Sequence, residues 1–180
     1  MINRIHILGA SGSGTTTLGQ AMASELGYIH LDVDDYFWLP TDPPYSTKRD
    51  PAARIELLKW DTQVNTKWIL TGSMNGWGDI LNDSFDLVIF LYLDPEIRLK
   101  RLAKREAVRH GFNRISIGGD MHEIYRAFIE WAAKYDYAGI EMRSLQLHEK
   151  WLQQIKCPVL RIDKPLELPE KLELAKSMLS

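Results

Sequence analysis

Cysteine is almost absent: Cys157 is the one thiol in 180 residues. It excludes an internal disulfide and fits a reducing cytoplasm. Its place beside the strand-like PVLRI reads as that of a small apolar residue rather than a nucleophile. With His30, His110, His122 and His148 scattered along the chain, no zinc-ligand spacing exists either. Long apolar runs are also missing. Nothing approaches the roughly 20 residues of a membrane span. MINRIHILGA returns to polar residues too soon for a signal peptide, so a soluble cytoplasmic protein with no membrane partner is expected. Neither sign of charge dominates. A net charge of -2 supplies no global attraction to nucleic acid, and no nucleic-acid partner is expected. No internal repeat and no Gly/Ser-rich linker divides the chain, which predicts one domain over 1–180.

What is present is a globular composition, 45% hydrophobic and 26% charged, in which short β-branched runs alternate with longer amphipathic ones. RIHILGA (4–10), YIHLDVD (28–34), KWILTGS (67–73), DLVIFLYLD (86–94) and PVLRID (158–163) read as strands. Helices are expected over TTLGQAMASELG with Gly27 as C-terminal cap, over 51–63 and over 95–110. The pairs Asp50-Pro51 and Asp94-Pro95 start the latter two. Further helices are predicted near 121–135, 141–155 and 169–179. Strands separated by such helices pair in parallel through right-handed crossovers. RIHIL and VIFLYL are apolar on both faces, as a sheet covered on each side requires. The predicted fold is α/β: a three-layer, doubly wound, parallel five-stranded sheet. Ligands of such folds gather at the carboxyl ends of the strands.

At the first of those ends stands GASGSGTTT (9–17), one residue away from the phosphate-binding pattern G-x-x-x-x-G-K-[ST]. Gly9, Gly14 and Thr16 fall at fixed positions, and Thr15 replaces the lysine. Gly9, Ala10, Ser11, Gly12, Ser13 and Gly14 carry little or no side chain. They allow backbone N–H groups to curl around an anion and lead it to a helix N-terminus, with Thr15, Thr16 and Thr17 opening the helix. Thr16 stands where a hydroxyl ligand of Mg²⁺ lies.

ILGASGSGTTTLGQAMASELG resembles the start of the small P-loop kinases of the adenylate-kinase-like and nucleoside-kinase-like group. The form GSGTT is similar to that of some cytidylate kinases. The resemblance implies the P-loop nucleoside triphosphate hydrolase fold of the nucleoside/nucleotide kinase type, with ATP and Mg²⁺ as cofactors. Loss of the lysine removes a cation, and phosphoryl transfer rests on positioning and charge stabilisation. Arg98, Arg101, Arg105 and Arg109 recur along one face of the helix after VIFLYLD, with Leu102 and Val108 available as apolar anchors. RLAKR is similar to the R-x-x-x-R that opens the lid region of the adenylate-kinase-like proteins. By that resemblance Arg101 stacks on adenine, Arg105 reaches the phosphates, and HGFNRISIGGD (110–120) is a short lid carrying Arg114. A solvated basic face partnered by Glu106 is the plainer alternative. Arg126 and Arg143 are further lid-adjacent cations, and Asp163 to Pro165 fall where such proteins touch the adenine edge.

On the acceptor side, strand alternation puts Asp32 and Asp34 on one face. DDYFWLP resembles the D-D-F-[FY] segment of uridine-kinase-like and nicotinamide-riboside-kinase-like enzymes. That implies Asp34 as the base and Asp32 as an orienting or metal-linked carboxylate. Tyr36, Phe37 and Trp38 then suit a flat or apolar acceptor, or form a hydrophobic plug. The third strand ends LTGSMNGWG, without the D-G-x-x-R of nucleoside-monophosphate kinases. The aromatics of YRAFIEWAAKYDYAGIEMRSLQLHEKWL recur at helical spacing, most simply as core packing. The expected function is ATP-dependent transfer of phosphate to a small hydroxyl or nucleoside/nucleotide-like acceptor. A nucleotide-binding protein without transfer activity and a nucleic-acid-associated module are the alternatives.

Overall fold

A computed structural model describes residues 2–179. The five β-branched runs become β1 (Arg4–Gly9), β2 (Ile29–Asp32), β3 (Trp68–Thr71), β4 (Leu87–Leu91) and β5 (Val159–Ile162). They pair in parallel in the order β2-β3-β1-β4-β5. The connection leaving β1 runs toward one edge and that leaving β3 toward the other. A crevice therefore opens at the carboxyl ends of these two neighbours.

Alternation along the strands divides the core in two. Ile5, Ile7, Ile69, Leu87 and Ile89 point to the face covered by α1 (Thr15–Leu26) and α8 (Leu168–Ser177). Leu8, Trp68, Leu70, Val88 and Phe90 point to the opposite face, where Leu58 of α3 (Pro51–Val64) and Trp151 and Leu152 of α7 (Leu145–Leu152) pack. Full burial of each such side chain stabilises the fold by about 2 kcal/mol. Asp50 and Asp94 accept N–H bonds from the first turns of α3 and α4 (Pro95–His110), and Gly27 closes α1 at φ 69° with its N–H on the Ala23 carbonyl. α4 leaves β4 and crosses the carboxyl end of the sheet, packed against α5 (Phe112–Ile115) and α6 (His122–Ala133).

Four expectations need correction. β2 stops at Asp32, not at 34, because the Asp32 carboxylate accepts the Asp34 N–H at 3.0 Å and caps the short helix α2 (Val33–Phe37). Asp32 and Asp34 are thus not strand neighbours on one face. Val108 anchors nothing, being 80% exposed. The helix expected over 141–155 is confined to α7, since Ser144 caps it by accepting the Leu147 N–H. The terminal helix begins at Leu168, one residue before Pro169, with the Glu167 N–H held by the Glu170 carboxylate.

Candidate active site

The loop between β1 and α1 is built around glycines. Gly12 (φ 86°) and Gly14 (φ 96°) hold left-handed conformations that side chains disfavour. A Cβ on Gly12 would lie 2.8 Å from the Arg98 carbonyl, and one on Gly9 would meet the Leu91 carbonyl. The loop closes through a turn from Ser13 N–H to the Ala10 carbonyl. The first intrahelical bond of α1 runs from Leu18 N–H to the Gly14 carbonyl, and no side chain caps the helix. The N–H groups of Thr15, Thr16 and Thr17 are therefore free of intrahelical acceptors and lie at the positive end of the helix dipole. Such an end suits an anion.

Thr16 and Asp32 meet: the threonine Oγ1 donates to Asp32 Oδ2 at 3.1 Å. A hydroxyl and a carboxylate are hard oxygen donors of the kind Mg²⁺ takes together with phosphate oxygens and waters, so these residues fit the metal. Asp34 follows in the first turn of α2 and lines a cleft of about 560 Å³. Burial, then the charge of Asp32, push the Asp34 carboxyl above the ordinary aspartate range, while Arg143 and Arg105 pull the other way. The carboxyl of exposed Asp35 is raised by the same two causes.

The cleft gathers Ser11 of the loop, Asp34, Ser73, Asn75, Arg105 and Arg143 under aromatic walls. Of the three aromatics after the carboxylates, Tyr36 is in the core, its hydroxyl on Asp61 at 2.7 Å, whereas Phe37 and Trp38 face the cleft. Arg54 stacks 4.0 Å from the Phe37 centroid and fixes that ring. Trp77 follows β3, in the segment that carries no D-G-x-x-R arginine. Tyr125, Phe128 and Trp131 of α6 close the other wall, while Tyr135 and Trp151 farther along the same aromatic stretch are buried in the core. Periodicity marks a buried face without telling a core from a cleft. Arg143 stands beside Asp34, with Trp131 under its guanidinium at 5.5 Å and the Ser73 carbonyl as acceptor at 3.5 Å. Behind Ser73, His148 bridges to Tyr135 through bonds of 3.0 and 2.8 Å. Ser73 in turn donates to Asn75 Oδ1, and Asn75 Nδ2 is buried with no partner among the described residues.

The arginine stripe of α4 does not act as one face. Arg98 is fully buried, bound to Asp136 at 2.6 Å and to the Ala132 and Ser11 carbonyls. It braces the loop from beneath. Arg105 turns into the cleft, its Nε on buried Glu106 at 2.9 Å, and Arg109 and His110 share that carboxylate. Arg101 lies outside the cleft lining and is exposed, next to Lys171 of α8. Of this pair, only Arg105 lines the cleft. Arg114 of the expected lid is exposed and paired with Asp120 at 2.6 Å, not directed at the cleft. Asp163 to Pro165 form an exposed turn before α8. Lys171 carried no signal in the sequence: it sits far from the loop along the chain, in an ordinary amphipathic helix.

Residues 5–116 match the AAA domain family, and the chain belongs to it. It is 46% identical over 180 residues to "Uncharacterized protein YqaC" of Bacillus subtilis (strain 168), covering 100% of this chain and 99% of that one. It is 31% identical over 116 residues to a cytidylate kinase of Methanocorpusculum labreanum, covering 58% of this chain and 64% of that enzyme. The solved shikimate kinase from Acinetobacter baumannii in complex with shikimate superposes with a TM-score of 0.55 at 15% identity, covering 99% of this chain and 92% of that one. That likeness establishes the fold, the doubly wound sheet of the P-loop nucleoside triphosphate hydrolases. The chain is a small P-loop kinase-like protein. No helix among the described residues is long and apolar enough to cross a membrane.

Proposed function

We propose that the protein is a cytoplasmic kinase that transfers the γ-phosphate of ATP, with Mg²⁺, to a hydroxyl of a small molecule held in the aromatic cleft. The observation that carries this reading is the convergence of Asp34, Arg105, Arg143 and loop residue Ser11 on one cleft. A half-buried carboxylate of raised proton affinity, flanked by cations, is what a general base for a hydroxyl requires.

In this reading the N–H groups of Gly9 to Thr17 cradle the phosphates, with Gly9, Ser11, Gly12, Ser13, Gly14, Thr15, Thr16 and Thr17 as the binding residues. Thr16 and Asp32 hold Mg²⁺, which supplies charge neutralisation when bound. Asp34 accepts the acceptor's proton as its oxygen bonds to phosphorus and the bond to the departing diphosphate breaks. Arg105 neutralises charge on the transferred group, and Arg101 contacts the nucleotide outside the cleft. The walls of Phe37, Trp38, Trp77 and Trp131 favour an acceptor with a flat or apolar face. ADP formation measured against nucleosides, nucleotides and small hydroxyl metabolites tests the reading. A hit whose turnover is abolished by Arg105→Ala in folded protein supports it, and full turnover by that variant removes Arg105 from the mechanism.

A second reading, nucleotide binding without transfer, is favoured by Thr15, which leaves the loop without its own cation. It expects saturable ATP binding and no product with any acceptor. The nucleic-acid alternative drew on the α4 stripe, and that stripe is broken by buried Arg98 and by the Glu106 pairings.

A further inference from the structure

We propose that Lys171 of α8, with Arg101 beside it, supplies the positive charge that the loop gives up at Thr15, and so completes the site for the polyphosphate of the nucleotide. The proposal rests on the reading of the β1–α1 loop as a nucleotide site.

Lys171 is 7% exposed, and its Nζ lies 3.9 Å from where a Cβ would stand on Gly14, the residue that caps α1. The ammonium is thus brought from a different helix to the bare end of α1. Among the described residues it makes no hydrogen bond and no ion pair. The charges that act on it are Glu167 on its own helix and Arg101 on α4, the latter with the larger effect. Burial and Arg101 together push its proton affinity below that of an ordinary lysine.

Such a placement is unfavourable in the empty protein. Burial disfavours an ammonium that has no anion beside it, and the positive end of α1 adds charge of the same sign. By contrast, Arg98, a fully buried cation on α4, has Asp136. Two positive groups, the Lys171 ammonium and the open end of α1, therefore meet at Gly14, with exposed Arg101 adding to the repulsion felt by Lys171 and Glu167 opposing it. A strong anion would relieve that repulsion. The glycine loop selects phosphate as that anion, because its donors are main-chain N–H groups in a nest. A lysine at position 15 would bring a second ammonium to the same phosphates from the first turn of α1. Threonine there and lysine at 171 are complementary solutions to one charge requirement. A lysine at position 15 should therefore be able to stand in for Lys171.

Calorimetric titration of the whole protein with ATP and Mg²⁺, compared with adenosine, tests this. Lys171→Met keeps the length and apolar stem of the side chain. It is expected to weaken ATP binding by about ten- to hundred-fold, the loss of one charged hydrogen-bonding partner, and to leave adenosine binding unchanged. It should also raise the unfolding temperature of the nucleotide-free protein, since an uncompensated charge is removed; a purely structural lysine would lower it. Thr15→Lys in the Lys171→Met background should restore ATP affinity. Wild-type affinity for ATP in Lys171→Met, or an equal loss for adenosine, would overturn the role of Lys171 while the nucleotide site stands. Failure of the wild-type protein itself to bind ATP would remove the nucleotide reading and this proposal together.

Discussion

Asp34 sits between opposing influences, and its variants report on each. Burial and Asp32 raise its proton affinity, and Arg143 lowers it. As the proposed base it must be ionised, so turnover falls as pH drops through its raised pKa. The acid limb of the pH–kcat profile is therefore expected above the ordinary aspartate range. Arg143→Gln removes a cation that holds the carboxyl down and should move that limb to higher pH; an unmoved limb would uncouple the two residues. Asp34→Asn should lower kcat by about a hundred- to ten-thousand-fold. Gly12→Ala introduces a Cβ 2.8 Å from the Arg98 carbonyl at a positive φ, and ATP affinity measured by titration should be lost. Gly9, Gly14 and Thr16 were legible in the chain because they fall at the fixed positions of a motif, whereas Asp34 follows from the resemblance of DDYFWLP and not from strand alternation, which α2 breaks. Arg143 is expected only as a lid-adjacent cation and Asn75 carries no signal, since Arg143 reaches Asp34 from the chain between α6 and α7 and Asn75 from the loop after β3, placements that periodicity does not encode.

Among the helices, α4 separates two kinds of arginine that sequence periodicity treats alike. Arg98 is sealed beneath the loop with Asp136, and Arg98→Ala strands that carboxylate. The variant should lose about 3 kcal/mol of stability in denaturant unfolding, whereas Arg101→Ala should change it by less than about 0.5 kcal/mol. Equal effects would show that Arg98 does not brace the fold. The caps of α1, α3 and α4 were readable because Asp-Pro and Gly act locally. α2 was not, because the carboxylate that ends β2 does so by capping a turn that alternation cannot foresee. The stretch 110–120 holds the single turn of α5, and its arginine is paired with Asp120, so its expected role as a lid remains a proposal carried by the resemblance alone.

Across the whole molecule, the parallel sheet and its two covered faces followed from strands apolar on both sides, but not the strand order, which periodicity does not encode. The core also holds two neutral histidines. Burial lowers His6 to about 4 against its bond to the Leu70 carbonyl, and burial and Arg143 lower His148 to about 3. Unfolded, both take up a proton below about pH 6.5. Stability is thus complete above that pH and is lost as pH falls toward 4, with about 3 kcal/mol at stake for His6. Denaturant midpoints across this range should fall well before the carboxylates titrate; a flat profile down to pH 5 would show that the imidazoles are not buried neutral. Phosphotransfer itself is tested most directly by incubating the protein with γ-labelled ATP, Mg²⁺ and a pool of small hydroxyl compounds, then following the label. Transfer of label to an organic product, reduced at least a hundred-fold by Asp34→Asn, is the predicted result. Label that stays on ATP or passes only to water, or transfer indifferent to Asp34→Asn, would contradict it.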